Sequence, residues 1–224
     1  LLSQQNAQRL RQAYAAQPKP AATLRKQLAE CLGAALDAPG PGALAAPLAG
    51  GALAGVQVAQ RQFPSEPGIT LPAFTLGSAD AQPRRVVVYA ADEGKLGGAG
   101  PEVFNQALTT QDLLLLVDPR GIGESTPLPG RPMTLATLDG KIADFPFTPG
   151  FTLEFEAATD ALMLGRSLLG AQVSDLVFAA RCARLLAPGA KVTLAGSGPR
   201  MALAALFAAA LDQSIDACWV DRLL

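Results

Sequence analysis

Between Lys191 and Leu211 the chain runs through an apolar strand, a glycine turn and an apolar helix with almost nothing in between. Lys191-Val192-Thr193-Leu194-Ala195 is β-branched and apolar after the lysine, so it reads as a buried strand. Gly196-Ser197-Gly198-Pro199 is a turn, and Arg200 to Leu211 is dominated by alanine and leucine, which are strong helix formers. Pro199 suits the first turn of a helix, where its missing N–H leaves no bond unmade. A strand apolar on both faces that feeds straight into a helix belongs in a parallel sheet covered by helices.

The rest of the chain supplies elements for such a sheet. Val56 to Gln62 and Thr70 to Leu76 read as strands joined at the turn-rich Pro64-Ser65-Glu66-Pro67-Gly68. Arg85 to Ala90 and Leu113 to Val117 read as buried strands, with a helix between them over Pro101 to Leu108. The proline-rich residues 126–150 read as a loop excursion, Phe155 to Gly170 and Val173 to Leu186 as helices, and Ile215 to Val220 as a further strand. Ahead of all this, residues 3–17 and 22–32 read as helices, and Gly33 stops the second. Residues 1–37 are thus assigned as N-terminal helices, 38–55 as an Ala/Gly/Pro-rich linker or loop, and 56–224 as the core. The fold class is α/β, with a doubly wound, mostly parallel sheet.

Composition excludes more than it assigns. A chain of 224 residues, half apolar and 17% charged, can bury a core, and its net charge of -1 offers nothing to nucleic acid. Its apolar runs are too short and broken to span a membrane. There is no histidine, so Ser-His-Asp, Cys-His and histidine–metal chemistry cannot be completed within these residues. Cys31, Cys182 and Cys218 are far apart, lack metal-ligand spacing and read as buried free thiols. No cofactor and no metal is expected. Leu1 to Gln5 shows neither an initiator methionine nor a signal-peptide pattern; it reads as a cut end and does not report the compartment.

Five stretches in order resemble the acetylxylan-esterase-like group of the α/β-hydrolase superfamily, over about residues 20–224. They are Ser65-Glu66-Pro67-Gly68-Ile69-x-Leu71-Pro72, Val86-Val87-Val88-Tyr89 with Asp92-Glu93-Gly94-Lys95, and Asp118-Pro119-Arg120-Gly121-Ile122-Gly123-Glu124. Leu164-Gly165-Arg166-Ser167-Leu168-Leu169-Gly170 follows, and then the strand–turn–helix with Ala209-Ala210-Leu211-Asp212. The resemblance implies an α/β-hydrolase core that hydrolyses acyl esters on a carbohydrate through an acyl-enzyme. It also implies a sheet cut short after the strand that follows the nucleophile elbow. A partner domain or subunit would then cover the strand at 215–220. It points to a secreted or periplasmic setting.

In that family the nucleophile is the third residue of G-x-S-x-G. Aligned on Gly196, that position holds Gly198, and Pro199 stands where the next residue should give an oxyanion N–H. Losing one such donor costs on the order of 3 kcal/mol of transition-state stabilisation. Ser197 becomes the candidate nucleophile if the register shifts by one, with Gly198 supplying the N–H. It would then point to the other face of the sheet. Gly196, Gly198, Ala91 and Asp92 form the expected elbow and oxyanion region. Asp92, Glu93 and Lys95 sit where the family builds the other half of its oxyanion hole, although a solvated charged loop fits them equally.

Three readings follow: an esterase-like hydrolase; a catalytically degenerate domain with a scaffolding, partner or carbohydrate-binding role; and a dinucleotide-binding domain. The last rests on the partial G-x-G-x-x-G of Gly196 and Gly198, with Met201 at the third glycine and Asp221 as the acidic residue. Asp118 is expected to end its strand and Arg120 to brace the turn. Arg166 and Asp175 are expected to form a structural ion pair. Asp216 and Asp221 do not form a facing carboxylate pair suited to acid–base work.

Overall fold

The computed structural model describes residues 2–36, 41, 44, 46–53, 56–78, 82–97, 112–126, 134–136, 142–144 and 153–223. Seven strands make one sheet: β1 (Ala49–Leu53), β2 (Val56–Glu66), β3 (Ile69–Ser78), β4 (Arg85–Ala91), β5 (Leu113–Val117), β8 (Lys191–Ser197) and β9 (Ala217–Asp221). A separate short antiparallel pair joins β6 (Thr134–Ala136) to β7 (Ile142–Asp144) within the expected loop excursion. In the large sheet the order is β1-β2-β3-β5-β4-β8-β9. The β5, β4, β8 and β9 strands pair in parallel, whereas β1, β2, β3 and β5 pair antiparallel. Five strands therefore run one way, and only β1 and β3 oppose them. The sheet is mostly parallel in direction, as expected.

The described helices are α1 (Leu2–Ala16), α2 (Ala21–Leu32), α3 (Leu153–Met163), α4 (Leu168–Leu186) and α5 (Pro199–Leu211). One face of the sheet, through Val86, Val88, Leu115, Val117, Val192 and Leu194, packs on Val173, Leu176, Ala180 and Ala183 of α4 and on Met201, Ala205 and Ala208 of α5. Alanine at these helix positions lets the helices approach the sheet closely. The opposite face carries a smaller cluster of Tyr89, Ala91, Leu114, Leu116 and Ala195. The helix expected over 101–108 lies outside the described residues.

Four expectations are corrected. Residues 49–53, placed in a linker, form β1 along the full register of β2, from Ala49 opposite Gln60 to Leu53 opposite Val56. Backbone pairing, not side-chain propensity, decides that strand. The break between α3 and α4 falls at Leu164–Ser167, because Gly165 takes φ +74° and the Ser167 hydroxyl caps α4 by accepting from Gly170 N–H. Cys31 and Cys218 are exposed and only Cys182 is buried, where burial pushes its thiol up to about 12. Cys218 is exposed because β9 is an edge strand, with Trp219 half exposed beside it. Finally, Arg166 pairs with Glu66 rather than with Asp175, whose own ionic partner is Arg120.

A candidate active-site crevice at the switch of strand order

From β4 the chain returns to β5 on one side, and from β8 it leaves for β9 on the other. The carboxyl ends of β4 and β8 therefore flank the point where strand order reverses, which is where open α/β sheets bind their ligands. Register brings Ala91 opposite Ser197 at this end. The turn between β8 and α5 is a single residue, Gly198, at φ +89°, a conformation that strains any residue with a Cβ. Pro199 opens α5, as expected.

What fills the crevice is the carboxylate of Asp92. Its Oδ1 accepts from Met201 N–H at 2.8 Å, and its Oδ2 accepts from Arg200 N–H and from Arg200 Nε, each at 3.2 Å. A Cβ built on Gly198 would lie 2.6 Å from Asp92 Cγ. The backbone donors of residues 92, 198 and 202 are committed elsewhere. Asp92 N–H donates to the Ser197 carbonyl at 3.0 Å, Gly198 N–H to the Asp221 carbonyl at 3.1 Å and Ala202 N–H to the Gly198 carbonyl at 2.9 Å. Pro199 has no N–H to give.

Ser197 lies on the other side of the strand. Gly196 faces α5, where a Cβ would press on Met201 and Ala205, so the alternation of a strand turns Ser197 away from the helix. Its hydroxyl is buried, donates to Asp221 Oδ2 at 3.3 Å and accepts from Arg222 Nη2 at 2.8 Å. Tyr89, whose phenol is pushed up chiefly by burial, lies beside it. Arg222 reaches on to Glu93 at 2.8 Å. Its backbone, at φ +55°, is the one non-glycine left-handed residue among those described. Nothing in the local sequence marks Arg222, because its partners lie on three separate strands and loops.

The remaining motif residues build scaffold around the crevice. Lys95, buried at 2% exposure, places Nζ 2.6 Å from Asp118 Oδ2 and 3.1 Å from Glu124 Oε1, while its own N–H donates to Asp118 Oδ1. Its ammonium also lies over the Phe74 ring, 5.5 Å from the centroid. Gly123 is required there: a Cβ would fall 2.4 Å from the Asp118 carboxylate. A second hub joins Arg120, paired with Asp175 at 2.8 Å and Glu66 at 2.7 Å, to Arg166, paired with Glu66 at 2.8 Å. Asp118 and Arg120 thus end and brace their turn as expected. Asp216 holds Arg184 and Val192 N–H and stands apart from Asp221.

A cavity of about 460 Å³ adjoins the first turn of α5, lined by Leu168, Leu169, Gln172, Pro199, Arg200, Leu203 and Leu223. Among the described residues, no group of three or more Cys, Asp or Glu is placed to hold a metal ion. No single helix among them is long and apolar enough to cross a membrane.

Sheet order, elbow turn and flanking helices are those of the α/β-hydrolase fold. Solved structures similar to this chain include acetyl xylan esterases, the group its motifs resemble. A candidate acetyl xylan esterase from Bacteroides fragilis superposes with a TM-score of 0.61 at 16% identity, covering 90% of this chain and 53% of that one. Acetyl xylan esterase 1 from Thermoanaerobacterium sp. gives 0.56 at 13% identity, covering 87% and 56%. The acetyl xylan esterase of Paenibacillus sp. R4 gives 0.55 at 18%, covering 88% and 56%. This chain therefore spans little more than half the length of these structures. No protein-family model matches it, and neither does any curated protein sequence.

Proposed function

We propose that this chain is an α/β-hydrolase-fold domain, related in architecture to esterases of acylated carbohydrates, whose elbow has lost serine-esterase chemistry. The observation that carries the reading is Gly198 at φ +89° on top of β8, with a carboxylate where a hydroxyl would have to stand. Acyl transfer needs a nucleophile, a base beside it and N–H donors aimed at the developing oxyanion. Here Gly198 brings no hydroxyl, and the N–H groups of residues 92, 198 and 200–202 already have intramolecular acceptors.

Ser197 does not rescue the chemistry. Its hydroxyl faces Tyr89, Asp221 and Arg222, and the Gly198 N–H that the shifted register needs as oxyanion donor is bonded to the Asp221 carbonyl. A carboxylate is also a weak base towards a serine hydroxyl, and Asp221 is already paired with Arg222. A dinucleotide reading meets the same obstacle, because the Arg200 and Met201 N–H groups that would meet a pyrophosphate are held by Asp92. Carbohydrate binding gains no support from the adjoining cavity, where four leucines offer little to a sugar's hydroxyls. A scaffolding or partner role fits best, with the exposed Cys218 and Trp219 on β9 as the surface a partner domain or subunit would cover.

The test is reaction with a fluorophosphonate probe, run beside hydrolysis of a small acetyl ester. Neither labelling nor turnover above the Ser197→Ala variant is expected. Labelling mapped to Ser197, abolished by that substitution, would overturn the reading, since removing a true nucleophile costs about 10⁶-fold in turnover.

A further inference from the structure

We propose that the Asp92 side chain is a built-in plug, a tethered carboxylate that holds the anion position at the first turn of α5 and closes the crevice to ester substrates. The proposal rests on reading this crevice as a former esterase site, and it names what closes it. The first N–H groups of a helix find no partner within the helix and draw negative charge. In α5 only two such donors are available. Pro199 has none, Ala202 N–H begins the helical ladder on the Gly198 carbonyl, and Arg200 and Met201 N–H remain. Asp92 takes both, one with each carboxylate oxygen, and Oδ2 takes Arg200 Nε as well.

The anion held at this helix N-terminus belongs to the chain itself. Tethering gives Asp92 an advantage over any free anion, because its encounter is intramolecular. The plug also explains the glycine. With a Cβ at position 198 only 2.6 Å from Asp92 Cγ, a nucleophilic side chain and this carboxylate position exclude one another. Gly198 and Asp92 are a matched pair: a serine at 198 is not compatible with Asp92 where it stands.

The experiment replaces the tethered anion by a free one. Asp92→Ala should melt several degrees below wild type. It should recover part of that loss in sodium acetate relative to sodium chloride of equal ionic strength, while wild type shows no acetate-specific shift. Equal response of both proteins, or none in the variant, overturns the plug. Amide hydrogen exchange on the wild-type chain decides the matter even if the variant does not fold. Arg200 and Met201 amides should exchange about tenfold or more slowly relative to an unstructured chain; exchange at the unprotected rate overturns the proposal. Its failure is separable from that of the proposed function. Unprotected amides would remove the plug and leave the missing nucleophile standing, whereas labelling of Ser197 would restore chemistry and leave Asp92 in place.

Discussion

Two regions at the same end of the sheet have fared differently. At the hub, Glu66, Arg120, Arg166 and Asp175 bring charge from β2, the turn after β5, the α3–α4 connection and α4 itself into one network in which every charge is paired. At the crevice between β4 and β8, the backbone geometry of an elbow is intact, with Gly198 at its turn and the Asp92 carboxylate against it. The stretches that carry the resemblance to acetyl xylan esterases fall largely in the first region. On the proposed reading, the fold has kept its supporting ion pairs after its chemistry has gone, and motif likeness here reports architecture, not activity.

If that contrast is right, the largest effect of any single change should come from the hub. Arg120→Ala leaves Asp175, whose side chain is fully buried, without its ionic partner. Burial already pushes the Asp175 carboxyl up against the pull of Arg120. Losing the guanidinium should cost about 3–5 kcal/mol, the range for breaking a buried pair. Urea unfolding measures it. A cost below about 1 kcal/mol would mean that the hub is ornamental and that the comparison with the crevice fails.

Acid sharpens the same comparison. The Arg166 guanidinium, with Arg120 beside it, holds the Glu66 carboxyl down at about 2, from an ordinary value of 4.5. A carboxylate whose value is lower in the folded state stabilises the fold fully above its unfolded value and loses that contribution as pH falls through its folded value. Stability should therefore decline between about pH 4.5 and about pH 2 through this group. Glu66→Gln should flatten the decline and, at neutral pH, cost about 2–3 kcal/mol, as expected for lost charged hydrogen bonds. Unfolding free energies at pH 6, 4 and 3 for both proteins provide the check. Parallel curves would remove Glu66 from the hub.

Much of this architecture was legible because local signals agreed. The apolar runs at 85–90, 113–117 and 191–195, with glycine and proline around 196–199, dictate strand, turn and helix whatever surrounds them. The elbow glycine followed from the same pattern. What stayed hidden depends on contacts between distant residues. Asp92 meets Arg200 across 108 positions, and Arg166 meets Glu66 across 100, so nearness in sequence pointed wrongly to Asp175. In β1, Ala-Gly-Gly-Ala-Leu has no strand propensity of its own and is held by its ladder to β2. Exposure of Cys31 and Cys218 likewise follows from the surface each element leaves open, which apolar neighbours in sequence do not reveal.

The smallest effect, on activity, should come from returning the missing hydroxyl. Gly198→Ser puts a side chain at φ +89°, where its Cβ collides with Asp92. The new Cβ would also lie 2.8 Å from Asp92 Cβ, so the loop must shift and the bonds to Arg200 and Met201 are lost, on top of backbone strain worth about 1–3 kcal/mol. The gain in activity set against that loss of stability should be nil. The new hydroxyl would still lack an oxyanion N–H at Pro199, and the Arg200 and Met201 N–H groups beside it are those Asp92 takes. Fluorophosphonate labelling of Gly198→Ser should therefore stay at the background set by wild type. Labelling at residue 198 would show that the elbow needs only its hydroxyl, and that the crevice has kept more of its chemistry than Pro199 and Asp92 allow.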